Sequence, residues 1–477
     1  MYKSKINRYL IPLGICLAIA SCKTPQIAAT GTNTAVPESY NTSSDTTNMA
    51  SVQWRKFFTD KNLVDLIDTA LKNNQELQIT LQELEIAKND IRVRKADLLP
   101  TLGIRAGAGV EKVGRYTSQG AGDASTEIMP GKETPDPLTD FTVAAFANYE
   151  VDIWKKLHNS KKAAVTRYLS SIEGKNFVLT NLIAEVANSY YELQALDNQM
   201  LIVKQNIDLQ KNALEIVKVQ KEAARATELA VQKFQAEVFK SQSLEFDIAQ
   251  QIKETENRIN FLLARYPQEI PRDKGEFLSL VPTAIQSGIP SQLLANRPDI
   301  KQAELDLAAA KLDVKVAHAE FYPTLGISAA VGYQAFKTSY LFTNPESLLY
   351  SLAGDLVAPL VNRNAIKAEF KNANARQIQA MVNYQRVVLN AYIEVANQLS
   401  NVANLEKSYD LKSKQVDALN KSIDASNDLF RSARVDYFEV LMTQRDALES
   451  KLELIDTKKE QLNAVVNVYK GLGGGWK

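Results

Sequence analysis

The chain has 477 residues, of which 45% are hydrophobic and 23% charged, so it is neither a polytopic helical membrane protein nor a mainly disordered chain. Its 56 Lys and Arg residues balance 55 Asp and Glu residues, which argues against nucleic acid as a partner. Two His and two Cys leave little for a zinc site or a thiol nucleophile, and 19 Gly and 15 Pro favour long uninterrupted elements.

The N-terminus predicts a lipoprotein signal peptide at residues 1–21. A basic start precedes an apolar run, residues 9–20, which is too short for a stable membrane span. The run ends in Ile19-Ala20-Ser21-Cys22, which resembles a lipobox. Cleavage there would leave Cys22 as an N-terminus carrying diacylglyceryl and acyl chains. The alternative is an ordinary signal peptide followed by a chance Cys.

Residues 22–50 are predicted to form a lipidated flexible tether, because a stretch rich in Thr, Ser and Asn buries too little apolar surface to fold. Lys23 stands where bacterial lipoproteins retained at the inner membrane carry Asp. The sequence therefore indicates the outer membrane of a Gram-negative cell, with the lipid as anchor.

The rest of the chain is a tandem duplication, with a first repeat at 51–290 and a second at 291–477. Residues 84–109 match residues 307–332 at thirteen of 26 positions, at an offset of 223. The segment Pro-Thr-Leu-Gly-Ile occurs at 100–104 and again at 323–327. A second echo pairs residues 186–192 with 388–394, at an offset of 202. Each repeat is thus one structural unit.

Each unit is predicted to run helix, strand, loop, strand and long helical hairpin. A first helix covers about 60–97 and stops at Pro100. Apolar and small or polar residues then alternate, which predicts strands. The four predicted strands cover about 102–110, 140–153, 325–336 and 348–360, with Gly- and Pro-rich or short loops at 114–139 and 338–347.

Strands of this length suit a tilted crossing of a bilayer. Four strands cannot close a barrel, and an open edge cannot face lipid, so transmembrane strands would require oligomerisation. Three copies would supply twelve strands. The alternative is a small soluble sheet packed on helices.

The helical hairpins are unusually long. Residues 155–223 contain no Pro and only Gly174, a second helix follows to Tyr266, and residues 362–470 repeat the arrangement without Gly or Pro. Their apolar positions follow helical spacing and their other faces are polar, which predicts coiled-coil-like packing. No stretch is apolar enough to cross a membrane as a helix.

Several motifs together resemble the TolC-type outer-membrane efflux factors, most closely the lipidated branch attached to RND-type pumps. Residues 54–60, Trp-Arg-Lys-Phe-Phe-Thr-Asp, resemble the family's opening helix. Residues 294–300 contain the Arg297-Pro298-Asp299 motif, and residues 319–323 are similar to the segment entering the third strand. The chain ends in Gly473-Gly474-Gly475-Trp476, which resembles the family's terminal motif.

The resemblance implies a mixed α and β fold, mainly long α-helices. Each chain would give four strands to a trimeric twelve-stranded barrel and helices to a periplasmic coiled-coil barrel with a small equatorial region. It implies a homotrimer that exports drugs or other small toxic compounds passively, through a periplasmic adaptor protein and an inner-membrane RND-type transporter. It implies that no residue performs covalent chemistry, so neither enzyme activity nor a cofactor is expected. His158 and His318 are isolated in the sequence, so no metal site is expected either.

The second hairpin is expected to turn near 432–438, where the sequence resembles the family's tip motif. By motif position Phe438 would narrow the pore, with Glu439 as a nearby carboxylate. Met442 stands where many relatives carry Asp, so Asp436 is the candidate substitute. An ordinary solvated or core position on a helix is the alternative for each residue.

Two further groups of side chains are candidates. Arg225 and Glu228 in the first hairpin, with Arg434 in the second, are candidates for contact with the adaptor, or else belong to a solvated helix face. The aromatic residues at the strand ends would form a belt at the membrane interface, or simply pack between barrel and helices. These aromatic residues are Tyr149, Trp154, Phe321 and Tyr322.

Two other functions remain open. A duct for metal ions or type I protein export is the nearer alternative, although the six Met residues are scattered. A non-channel lipoprotein whose coiled coils bridge envelope layers is the other, and it predicts neither a barrel nor a trimer held by strand pairing.

Overall fold

The computed structural model describes residues 36–40, 46–273, 277–358, 363–432 and 434–477. The signal peptide and Cys22 lie outside these residues, as does most of the predicted tether. The described chain divides into two compact units. The first comprises residues 86–168 and 305–381, and the second comprises the described residues between 36 and 85 together with 169–304 and 382–477.

Helices dominate, as the low Gly and Pro content predicts. Beside three short 3-10 turns, the described residues form ten α-helices: α1 Trp54–Phe57, α2 Lys61–Asn73, α3 Gln75–Ala96, α4 Ser118–Asp123, α5 Lys156–Glu222, α6 Glu228–Leu262, α7 Gln292–Asn296, α8 Pro298–Ala319, α9 Arg363–Arg431 and α10 Tyr437–Gly471. Within the described residues, none of these helices combines the length and apolar character needed to cross a membrane.

The first unit contains one four-stranded antiparallel sheet with the order β1-β4-β5-β6. These strands are β1 Thr101–Glu111, β4 Leu138–Val151, β5 Thr324–Ala335 and β6 Leu348–Val357, and they confirm the four predicted strands within a few residues. The first loop is more ordered than predicted, since it holds α4 and a small hairpin of β2 Glu127–Met129 and β3 Lys132–Glu133.

The register gives this sheet two chemically different faces. Directly paired residues of antiparallel strands project to the same side. Leu102 pairs with Ala147, Ala147 with Ala329, and Ala329 with Leu352, so these four side chains share one face. By the same register that face carries no charged residue on any of the four strands, whereas Arg105, Glu111, Asp140, Glu150 and Asp355 all fall on the other face.

The first predicted helix is two helices, because the chain bends at Asn74. Its backbone is extended there (ψ 128°), and its side-chain oxygen accepts a hydrogen bond from Leu77 N at 3.0 Å, which caps α3. The amide nitrogen of Asn74 donates to Leu262 O at 2.9 Å, which fixes the bend against the end of α6. That helix ends at Leu262, before Pro267, since Ala264 adopts a left-handed conformation with φ 53°.

The helical hairpins of the two repeats have matching lengths. Helices α5 and α9 have 67 and 69 residues, and α6 and α10 have 35 each. Arg225 and Arg434 occupy corresponding places in the two turns, 209 residues apart. At this offset residues 185–188 and 394–397 both read Glu-Val-Ala-Asn. The hairpins are therefore related by 209 residues, and the echo at offset 202 is wrong by two helical turns.

The end of the predicted tether is packed rather than flexible. Met49 and Ala50 are buried, and Met49 N donates to Gln286 O at 2.9 Å. Tyr40 stacks on Tyr392 with ring centroids 5.6 Å apart. A short polar segment can dock when a few aromatic or apolar side chains find a surface, which composition alone does not reveal.

Candidate functional site

The turns of the two helical hairpins lie together at one end of the second unit. Leu214 and Val217 of α5, Phe234 of α6 and Leu441 of α10 belong to one apolar cluster, and Tyr437 packs against it. The turns, residues 223–227 in the first hairpin and the described residues 432 and 434–436 in the second, therefore bring the candidate gate residues and the candidate adaptor residues to the same end. We call this region the hairpin end.

The two turns have related geometry. In the first, Ala224 is left-handed (φ 58°), Arg225 N donates to Gln220 O at 2.7 Å, and Thr227 caps α6 by accepting from Ala230 N at 3.2 Å. In the second, Arg434 N donates to Leu429 O at 2.9 Å. The backbones of both arginines close the helices, while their side chains are exposed.

Phe438 stands on the first turn of α10 and is 49% exposed. The ammonium of Lys233, on α6 of the other hairpin, lies 5.2 Å from the centroid of the Phe438 ring. Asp436 and Glu439 are near neighbours of Phe438 in the sequence, and both are exposed. An exposed ring with two exposed carboxylate residues close by in the sequence offers the side chains needed for an apolar constriction and an acidic rim.

Glu228 is held within its own hairpin. It forms an ion pair with Lys221 and accepts a hydrogen bond from Gln232 Nε2 at 2.7 Å. The hydrogen bond from Lys221, followed by that from Gln232, lowers the pKa of the Glu228 carboxyl. Glu228 therefore stays ionised and links the end of α5 to the start of α6.

The sheet of the first unit is the second candidate surface. Its charge-free face is open, since Ile104 is 82% and Leu352 80% exposed. On the polar face Gln334 Nε2 donates to Asp140 at 3.0 Å, and the Arg105 guanidinium lies 5.8 Å from the Phe146 ring centroid. Only one face of this sheet thus suits water.

The four candidate aromatic residues have different surroundings. Trp154 stacks on Tyr322 at 4.6 Å, and its Nε1 donates to Pro323 O at 2.7 Å. Tyr149 lies on β4, in the charge-free face. Phe321 is buried among Val314, Ala317, Phe370 and Ala373, which agrees with the packing alternative rather than an exposed belt.

Two sequence motifs far apart in the chain meet in the second unit. Buried Arg297 pairs with Asp299 at 2.7 Å and Glu394 at 2.9 Å, and donates to Gly471 O at 2.8 Å. Burial alone would lower the pKa of Arg297, but the two carboxylates outweigh it and raise the pKa.

The terminal motif completes this contact. Trp476 Nε1 donates to Asn296 O at 3.3 Å. Gly473 has φ 90°, and a Cβ there would lie 2.6 Å from Asn296 O, so only glycine fits. The Arg-Pro-Asp motif and the Gly-Gly-Gly-Trp motif are two halves of one packing contact.

Two features escaped the sequence analysis. One is Lys233, which nothing in the sequence distinguishes from other lysines of a polar helix face. The other is a buried ionic cluster in which Arg272 binds Asp197 at 2.5 Å and Glu256 at 2.8 Å. Charged residues of buried and exposed pairs look alike in a sequence. Among the described residues, no group of three or more His, Cys, Asp or Glu side chains is placed to hold a metal ion.

The chain matches the profile of a protein family described as outer membrane efflux protein over residues 66–265 and 289–474. It is 29% identical to the pyoverdine export outer membrane protein OpmQ of Pseudomonas aeruginosa, covering 89% of this chain and 88% of that protein. It is 26% identical to the probable outer membrane lipoprotein SilC of Salmonella typhimurium, covering 89% and 88%.

The fold also matches a solved structure, that of the open state of the Neisseria gonorrhoeae MtrE outer membrane channel. The TM-score is 0.82 at 22% identity, with 95% of this chain and 98% of that chain covered. At this identity the likeness establishes the fold, including the arrangement of paired strands and long helices.

Proposed function

Because this chain belongs to the outer membrane efflux protein family, we propose that it forms the passive exit duct of a tripartite RND-type efflux system. It is an outer-membrane protein of a Gram-negative bacterium. The duct would carry drugs or other small toxic compounds from the periplasm to the outside. The observation that carries the proposal is the sheet with one charge-free exposed face and one polar face.

The sheet supports a shared barrel. Strands β1 and β6 are its margins, so each has one side without a strand partner within the sheet. Unpaired backbone groups are costly in lipid, and closure removes them. Three copies would join β6 of one chain to β1 of the next and give twelve strands, with the charge-free face towards lipid and the polar face lining the lumen.

The hairpin end supports a closable periplasmic entrance. In a homotrimer three copies of Phe438 would converge as an apolar constriction, with Glu439 and Asp436 as an acidic rim. The exposed arginines Arg225 and Arg434, with Glu228, would contact the periplasmic adaptor protein. The inner-membrane transporter would supply the energy, so no residue of this chain needs to perform covalent chemistry.

Lipidation of Cys22 is part of the proposal. The Ile-Ala-Ser-Cys sequence supports it, and so does the relative SilC, a probable outer membrane lipoprotein. Intact-mass measurement of the purified chain should show loss of residues 1–21 and added diacylglyceryl and acyl groups. A Cys22→Ser variant should lack them, and an unmodified wild-type mass would exclude the anchor.

The decisive experiment is the mass of the full-length protein in mild detergent, with bound detergent subtracted. A particle of three chains that shifts on a gel and loses β signal on boiling, and that conducts ions in a planar bilayer, is the expected result. A monomer would leave two open strand margins and would overturn the duct. A trimer without conductance whose gel mobility and β signal do not change on boiling would favour an envelope-bridging coiled coil.

A further inference from the structure

Two helices related by the internal duplication have different surroundings. Helices α3 and α8 correspond at an offset of 223, so Ile86 of α3 is the counterpart of Ala309 of α8. Ala309 is 2% exposed, whereas Ile86 is 68% exposed. Leu77 is the one residue that α3 buries in the chain. A helix with this much exposed apolar surface requires another partner.

The covered copy shows what that partner looks like. On the side of α8 that faces α5, Asp313 forms an ion pair with Arg167. Nearby, Ser170 Oγ donates to Gln302 O at 3.4 Å, and the Gln302 side chain fills the space beside Gly174. Helix α8 therefore packs on α5 through one ion pair and close contacts of small residues.

The sequence repeats both residues of this ion pair, but within one chain the repeated residues do not pair with each other. Subtracting 223 from Asp313 gives Asp90 on α3, and adding 209 to Arg167 gives Arg376 on α9. Both positions of the pair therefore keep the same residue type in the other repeat. Within the chain Asp90 instead pairs with Arg94 at 3.6 Å, and Arg376 with Glu369 at 3.3 Å.

The receiving surface on α9 is also open. Ser170 of α5 is 3% exposed, but its counterpart Gln379 is exposed. The opposite side of α9 is already occupied, because Phe370 and Ala373 pack on α8. The free side of α9 is therefore the side on which an α3-like helix would fit.

We propose that α3 of one chain packs on α9 of a second copy, and that Asp90 pairs there with Arg376 of the partner subunit. The partner of α3 is a second copy of this chain, because the surface of α9 is the repeat of the α5 surface that binds α8. This proposal rests on the oligomer of the proposed function and identifies one of its helix interfaces.

The interface has its own electrostatic logic. Arg376 also lies near enough to Asp313 to help lower the pKa of that carboxyl, although burial prevails and raises it. Asp313 thus has one bonded arginine, Arg167, and two more distant arginines, Arg376 and Arg94. If the duplication holds, Asp90 would form an ion pair with Arg376 of the partner subunit, and Arg167 of its own chain would lie farther away. The aspartate of each repeat would then have one bonded and one more distant arginine from this duplicated pair.

Charge reversal in the full-length protein tests the pair. Asp90→Arg and Arg376→Asp should each reduce the fraction of trimer that survives SDS without boiling, and the double variant should regain it. The matched control is Asp90→Arg with Arg94→Asp, which exchanges charges within one chain. Recovery in this control, with none in the first double variant, would overturn the proposal.

Cross-linking gives a readout independent of stability. An Asp90→Cys, Arg376→Cys double variant, treated with a short bismaleimide, should yield covalent dimers and trimers, whereas either single variant should not. Cross-linking confined to single chains in a particle of trimer mass would reject this interface and leave the duct intact. A monomeric particle would instead reject the proposed function itself.

Discussion

At the scale of single residues, Arg297 shows how a recognisable motif acquires a physical role. The sequence identifies Arg297, Pro298 and Asp299 by their order alone. The structure places the guanidinium among two carboxylates and the carbonyl oxygen of Gly471, 174 residues away in the chain. Arg297 therefore joins the start of α8 to the end of α10.

Replacing Arg297 with Ala should destabilise the second unit by about 3–5 kcal/mol, because it leaves Glu394 and the Gly471 carbonyl without their buried donor. Loss of helical circular dichroism with denaturant, followed in detergent, measures this effect. The control is Arg258→Ala, which breaks the more exposed pair with Glu192 and should cost less than about 1 kcal/mol. Equal losses of stability in the two variants would contradict the role of Arg297 as a buried link between α8 and α10.

The ionic cluster of Arg272 predicts a pH dependence. Burial alone would raise the pKa of Glu256, but hydrogen bonds from Arg272 and Lys253 outweigh it and hold the pKa below its ordinary value of 4.5. A carboxyl whose folded pKa is lowered stabilises the fold above the unfolded value, and this contribution is lost as the pH falls below it.

Below about pH 4.5 the thermal midpoint of the helical signal should therefore fall. Glu256→Gln should melt earlier at neutral pH and should show a shallower fall in acid, since its side chain no longer titrates. Parallel acid profiles for the two proteins would contradict this role of Glu256.

At the scale of elements, the strands combine a local pattern with a pairing that the pattern does not specify. Alternation along β1 predicts two faces, but only the register shows that all four strands place their uncharged sides together. A shift of one residue in any pair would mix the faces. The sheet is therefore amphipathic as a whole.

Adjacent positions in the middle of β5 test which face meets lipid. Ala329→Lys places a charge on the charge-free face and should cost about 2–4 kcal/mol if that face lies at the bilayer midplane. Ala330→Lys, on the polar face, is the matched control and should be tolerated. The measurement is the yield of heat-modifiable protein in outer membranes. If Ala330→Lys lowered this yield more than Ala329→Lys, the polar face and not the charge-free face would meet lipid.

At the scale of the whole molecule, the duplication gives equivalent positions with different side chains. Phe438 in the second hairpin corresponds to Leu229 in the first, 209 residues earlier, and both are exposed. Lys233 lies against the Phe438 ring, whereas Leu229 has no aromatic ring to take part in such a contact. The two hairpins therefore provide an internal control for the gate.

Phe438→Ala should increase single-channel conductance, on the order of twofold or more if three rings form the constriction. Leu229→Ala should leave conductance near that of the wild type. Lys233→Gln should raise the frequency of opening without changing the fully open level, because it removes a contact that holds the ring. Unchanged conductance in Phe438→Ala would move the constriction elsewhere.

The sequence by itself determined the duplication, the element types and the family, because each depends on local periodicity, breakers and motif order. Long helices follow from apolar spacing with few Gly or Pro, and strands from alternation after Pro100 and Pro323. Exceptions arose where the backbone changed direction at a residue that is neither Gly nor Pro, as at Asn74 and Ala264.

Only the tertiary structure decided which residues meet. It buried Phe321, set Lys233 against Phe438, joined Arg297 to the C-terminal motif and left α3 uncovered while its copy is packed. These outcomes depend on contacts between residues far apart in the chain, which no local pattern encodes. Burial and pairing of charges in particular are set by the neighbours that folding supplies.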